Sequence, residues 1–263
     1  DLFASFGAES VAWMNANVSF VSTSIDRITP KTTEQDIATV ATATGWDDCS
    51  PVVTEPFRDW VLEGDFPLGR PDWQNAGARF VDHIEPFENR KLWLLNGSHS
   101  LLAYAGQLRG HETVAEAIAD ATCLEWVEDF WNEAVQHLPN EGLDLPQYRA
   151  ALLGRFRNGK IAHRLAQIAI DGSNKLRVRI APVAKAELAA GRDAQGCARV
   201  IRAWVDFVIT KTGRVEDSQA QAILQVYSST RDLEADHEQL ASSLVAIIDK
   251  FAFGINVLDH RIF

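Results

Sequence analysis

The stretch Lys91-Leu92-Trp93-Leu94-Leu95-Asn96-Gly97-Ser98-His99 decides how this chain is read. Leu92 to Leu95 are large and apolar and no proline interrupts the run, so it predicts a buried helix. Lysine, asparagine and histidine on a buried helix need a reason to be there, because an unpaired polar group away from water is costly. At about 100° per residue, Asn96 falls near 140° from Lys91 and His99 near 80°, so all three share one half of an α-helix. Asn96 and His99 are three apart and therefore neighbours on its surface. Lys91 and His99 are separated by roughly 12 Å along the axis, much of which a lysine stem can cover.

Such a trio suits proton transfer at a carbon–oxygen bond. Oxidation of a secondary alcohol by a nicotinamide needs a base for the hydroxyl proton, and the reverse reaction needs the same group as an acid. A desolvated lysine has a lowered pKa and can serve both directions. An asparagine amide and an imidazole N–H can donate hydrogen bonds to the developing alkoxide. These groups replace a Lewis acid, so no metal is expected. The small residues Gly97, Ser98 and Ser100 leave room for a substrate or cofactor to approach the backbone. Spacing alone leaves the alternative open: a lysine, an asparagine and a histidine satisfied by ordinary neighbours.

Working outward, residues 1–17 predict a helix with Leu2, Phe6, Val11 and Trp13 as its apolar positions. Asn17 to Ser22 alternates like a strand. Thr32-Thr33-Glu34-Gln35-Asp36 has the composition of a capped helix start. Val52-Val53 and Phe57–Glu63 read as further strand pieces, and Pro67, Gly69, Pro71 and Gly77 punctuate a loop. From about Pro86 helical periodicity takes over, with helices expected at 87–107, 112–137, 146–155, 158–170, 175–190, 194–212, 217–226 and 233–251. The last carries an apolar stripe of Leu233, Leu240, Leu244, Ile247 and Ile248. The expected fold is therefore mainly α, with a mixed α/β piece at 1–85 and an all-helical domain at 86–263.

The 263 residues carry a net charge of −11 and a pI near 5.1. That balance repels phosphate backbones, so nucleic acid is not an expected partner. No apolar run of about 18 residues exists, so no membrane-spanning helix is expected. Cys49, Cys123 and Cys197 are far apart and odd in number, which fits a reducing, cytoplasmic setting rather than a disulfide framework. A metal site using His99 and His111 has no paired-histidine spacing to support it. The chain opens at Asp1 in the middle of a helix-like run, which suggests a processed or truncated chain.

Lys91-x4-Asn96-x2-His99 in this setting resembles the defining helix of the polyol-specific long-chain dehydrogenases, the mannitol dehydrogenase family. Asn17-Val-Ser-Phe, Ile25-Asp26-Arg27-Ile28-Thr29-Pro30, Arg70-Pro71-x-Trp73, Pro86-Phe87-Glu88, Arg155-Phe156-x-Asn158 and Asp171-Gly172-Ser173-x-Lys175 resemble family motifs in the same order. The resemblance implies an NAD- or NADP-dependent enzyme. It would interconvert a sugar alcohol or aldonate with its ketose or keto-uronate, as mannitol 2-dehydrogenases and fructuronate reductases do. It further implies Lys91 as general acid/base and Asn96 and His99 as groups that polarise the reacting oxygen. Glu88 would lie in the proton path, Asp26 near substrate and nicotinamide, and Lys175 against the substrate. Two departures from the family pattern are Val21, where proline is usual, and Gln167, which together with His163-Arg164 is closer to the fructuronate reductases. No GxGxxG follows a strand. Residues 1–85 therefore look like the C-terminal remnant of a Rossmann-type dinucleotide-binding domain, with the main cofactor site in a missing upstream segment. The alternative function is an inactive helical scaffold or oligomerisation fragment.

Overall fold

The computed structural model describes residues 3–231 and 237–248. The chain divides into two compact units, Asp1–Thr29 with Thr54–Glu88, and Pro30–Val53 with Asn89–Phe263. Its first elements are a short turn of 3-10 helix at Phe3–Phe6, α1 (Ala8–Asn17), β1 (Ser22–Asp26), α2 (Glu34–Thr44), β2 (Asp59–Glu63) and β3 (Ala78–Phe80). The three strands form one sheet in the order β1-β2-β3, antiparallel between β1 and β2 and parallel between β2 and β3.

The strand expected at Asn17–Ser22 lies further along. Asn17 still belongs to α1, where its side-chain amide donates to Trp13 O at 2.8 Å. Strand pairing begins only at Ser22, opposite Glu63. Alternation of residue types does not by itself supply a partner, and the partner decides where a strand starts. Val52-Val53 lies outside any strand. In contrast, the capped helix start is present: Thr33 and Asp36 form a reciprocal capping box at the head of α2.

α3 (Glu85–Arg90) ends the first unit at Glu88 and continues without a break into a run of helix on which the second unit is built. That run widens to a π-helix π1 (Lys91–Gly97), returns to an α-turn α4 (Ser98–Leu101) and widens again as π2 (Leu102–Gly106). Leu94, Leu101, Leu102 and Tyr104 on this run are fully buried. Around it stand α5 (Val114–Ala119), α6 (Ala121–Ala134), α7 (Leu145–Phe156), α8 (Leu165–Ala169), α9 (Gly172–Arg179), α10 (Ala181–Ala189), α11 (Gln195–Thr210), α12 (Ala220–Arg231) and α13 (His237–Ile248). α6 and α11 pack closely, with Phe130, Trp131 and Trp204 in the core.

Three expected helices are shorter or broken, each for a local reason. The 112–137 segment breaks at Asp120, which turns extended and caps the next helix by accepting from Thr122 N at 2.9 Å. The 175–190 segment begins earlier, at Gly172, and breaks at Ile180, because Pro182 follows and has no N–H to donate. Of 158–170 only α8 is helical. Residues 158–164 form a loop, in which Asn158 accepts from Lys160 N and an isolated antiparallel bridge pairs Thr113 with Arg164. In α13 the apolar stripe is buried at Leu240, Leu244 and Ile248, while Leu233 lies outside the described residues. No helix among the described residues is long and apolar enough to cross a membrane.

Candidate active site

The decisive stretch is not an α-helix. From Lys91 to Gly97 the hydrogen-bonded turn closes on the fifth residue rather than the fourth. Lys91 and Asn96, five apart, thereby become neighbours one turn apart, instead of lying about 140° around a regular α-helix. Both side chains are half-buried.

Widening a helix disturbs its carbonyl ladder, and here side chains reach two of those oxygens. Leu94 O accepts from Ser98 Oγ at 2.6 Å and from Trp131 Nε1 at 2.9 Å. Asn96 O accepts from Ser100 Oγ at 3.3 Å and from Arg179 Nη1 at 3.1 Å. Arg179 Nη1 also donates to Ser100 Oγ at 3.1 Å. A Cβ on Gly97 would lie 2.5 Å from the ring of Phe130. The small residues expected to admit a ligand therefore admit the protein's own α6 and α9.

His99 follows one turn after Leu95, on α4, with 6% of its surface exposed. Its ring centroid is 5.1 Å from that of Phe156 and 5.0 Å from that of His163, the two imidazoles standing edge to face. Its Nε2 has no hydrogen-bond partner among the described residues. Burial holds its pKa well below the usual imidazole range, and the nearby His163, Arg179, Arg155 and Lys175 push it the same way. His99 is thus a neutral imidazole at physiological pH, able to donate through one nitrogen only.

Lys175 comes from α9, whose start is fixed by Asp171 in a left-handed conformation. Gly172 follows because a Cβ there would meet Tyr104 Oη and Trp204 Nε1 at 2.6 Å. The Lys175 ammonium donates to Ile168 O at 2.9 Å. Burial, and then Arg179, lower its pKa, against the opposing pull of Asp171 and Asp217.

The other expected site residues sit as follows. Glu88 is exposed in α3. Asp26 belongs to the first unit, at the end of β1, and is only 3% exposed. It lies opposite Asp59 across the strand pair, and Arg79 holds Asp59 in a two-pronged ion pair. Gln167 is exposed on α8. His111 is bonded to Asp120 at 3.0 Å, and the described residues hold no cluster of three metal-ligating side chains.

In the second unit, then, Lys91 and Asn96 are brought a turn apart and His99 and Lys175 into electrostatic reach. Sequence reasoning gave no role to Arg179 or to His163. The spacing of Lys175 and Arg179, four apart on one helix, could have flagged the first. The sequence marked His163 only through a resemblance, and its place beside His99 follows from the bridge to the Thr113 segment, where Val114 N donates to His163 O at 3.1 Å.

The chain that carries these elements matches a known class of proteins over most of its length. The model of the mannitol dehydrogenase C-terminal domain matches residues 83–261, and that of the mannitol dehydrogenase Rossmann domain matches residues 2–75. The chain belongs to the mannitol dehydrogenase family.

Among its relatives, the oxidoreductase YdfI of Escherichia coli strain K12 is 35% identical over 257 residues, 95% of this chain and 52% of that protein. The D-mannonate oxidoreductase of the same strain is 38% identical over 198 residues, 74% of this chain and 41% of the relative. In three dimensions the chain is similar to Pseudomonas fluorescens mannitol 2-dehydrogenase, solved as a ternary complex with NAD and D-mannitol. The TM-score is 0.76 at 31% identity, over 98% of this chain and 56% of that one. The chain thus spans about half the length of the relatives it matches. The Rossmann-domain model matches residues 2–75, within the segment expected to be part of a dinucleotide-binding domain.

Proposed function

We propose that this chain carries the proton-transfer and substrate-binding groups of an NAD- or NADP-dependent, metal-independent oxidoreductase. It interconverts a sugar alcohol or aldonate and its ketose or keto-uronate. The observation that carries this reading is the π-helix at Lys91–Gly97, which makes an ammonium and a carboxamide neighbours on one turn. The buried, neutral His99 one turn further on supports it. Lys91 takes the hydroxyl proton as hydride leaves for the nicotinamide and returns it in reduction. Asn96 and His99 donate to the oxygen as its charge develops. A nearly desolvated His99 Nε2 is suited to this, because a hydrogen bond made in a low-dielectric site is strong.

Glu88, one helical turn before Lys91 in sequence, passes the proton to solvent. Asp26 serves the nicotinamide side, and Lys175 contacts the substrate. In this reading residues 1–85 belong to the dinucleotide-binding part and 86–263 to the substrate part. The relative solved with NAD and D-mannitol supports the cofactor and the substrate chemistry by similarity.

The test is spectrophotometric. With NADH or NADPH the protein should reduce fructose or fructuronate, and with the oxidised cofactors it should oxidise mannitol or mannonate. Activity should persist in EDTA. Failure with all four substrates and both cofactors, in protein shown to be folded, would leave the scaffold reading standing instead.

A further inference from the structure

His163, Arg179, Arg155 and Lys175 all lie close enough to His99 to act on its charge. Arg179 lies along the helical turn that carries His99, bonding Asn96 O and Ser100 Oγ through Nη1. Its Nε and Nη2 make no hydrogen bond among the described residues, so part of the guanidinium fork is uncommitted. Lys175 sits four residues earlier on α9 and is held only by the Ile168 carbonyl. His163 stands edge-on to His99 at 5.0 Å, with its buried Nδ1 unpartnered, as is His99 Nε2.

Among the described residues neither Lys175 nor Arg179 has a carboxylate within ion-pair distance. The two carboxylates that act on Lys175, Asp171 and Asp217, are engaged elsewhere. Asp171 accepts from Ser218 and Asn174, and Asp217 accepts from Ser173 and Gln219. Half-buried cations without a counter-ion are unfavourable until an anion arrives. An uncharged polyol would leave them unpaired, whereas a carboxylate would fill the free edge of the guanidinium and the unpartnered imidazole nitrogen.

We infer that the substrate is a sugar acid and not an uncharged sugar alcohol, with Arg179, Lys175 and His163 binding its carboxylate beside the oxygen-polarising His99. The inference rests on the oxidoreductase reading for the location of the reacting carbon. The collective effect of these cations on His99, whose pKa they help to hold down, agrees with their closeness to it.

Calorimetric titration of the full chain, in the presence of NAD+, with D-mannonate and with D-mannitol tests this. Mannonate should bind at least about tenfold more tightly, the effect of one charge-assisted hydrogen bond. Arg179→Gln should reduce that preference. Because Arg179 also braces the π-helix, His163→Asn is the second variant, and it should narrow the preference when measured well below its own melting temperature. Equal or tighter binding of mannitol overturns the inference, as does no binding of mannonate at millimolar concentration or a preference unmoved in both variants. Parallel initial-rate assays separate the two readings. Turnover without preference for the acid removes the carboxylate site and keeps the oxidoreductase. Selective binding of mannonate without turnover does the reverse.

Discussion

Each residue of the constellation acts through what surrounds it. Lys91 and Asn96 lie on the same helix at any geometry, but only the wider turn stacks them. Replacing Lys91 by alanine should lower kcat by at least about a hundredfold, the lower range for loss of a general acid/base, with no more than a small change in melting temperature. Retention of most of the activity would remove Lys91 from the proton-transfer role. His99→Asn tests a different property. It keeps a donor but loses the ring that packs on Phe156 and His163. The expected outcome is a fall in kcat together with a lower melting temperature, whereas Lys91→Ala should affect rate alone.

The elements explain why the site geometry holds. π1 exists because its displaced carbonyls have donors: Trp131 from α6, Arg179 from α9, and the hydroxyls of Ser98 and Ser100. Gly97 lets α6 come close enough for this. Gly97→Ala would place a methyl group 2.5 Å from the Phe130 ring, inside van der Waals contact. Overpacking of this kind costs about 1–3 kcal/mol. The variant should melt at lower temperature in a thermal scan, and because π1 must shift to relieve the clash, activity should fall as well. Unchanged stability would mean that Phe130 moves freely, against its full burial. Elsewhere in the bundle, the Asp120 carboxylate links the α5–α6 junction to Arg109 and His111. The left-handed Asp171 and its bonds to Ser218 tie the start of α9 to the segment before α12.

At the scale of the molecule these buried and paired groups set a pH dependence. His99 and His163 both have lowered pKa values, mainly through burial, so the unfolded chain binds their protons more readily than the folded one. Their contribution is present above the unfolded value near 6.5 and is lost as pH falls below it. The Asp120 carboxyl is held down by Arg109 and His111, Glu187 by Arg192 and His137, and Asp171 by Ser218 and Asn174. Their stability is present above an unfolded value near 4 and is lost as pH falls further. The melting temperature should therefore drop in two stages on acidification, one beginning below about pH 6.5 and one below about pH 4. Replacing both histidines with phenylalanine should flatten the first stage. A melting temperature that holds or rises between pH 7 and pH 5 in the parent protein would contradict this account.

The sequence by itself determined the helical character of the second unit, the capped start of α2, and the three polar residues to which the proposed chemistry is assigned. These depend on residue type and short-range spacing, which a linear reading retains. The strand at Phe57–Glu63 was legible for the same reason, and appears as β2. What the sequence could not decide was the width of the helix at Lys91. The π-turn depends on donors from residues 131 and 179, distant in sequence. The breaks at Asp120 and Ile180 and the displaced start of β1 likewise followed capping and pairing partners more than periodicity. Only the tertiary structure set His163 against His99 and left part of the Arg179 fork free. Both follow from long-range contacts, because the electrostatics of a buried site belong to the groups that surround it in space.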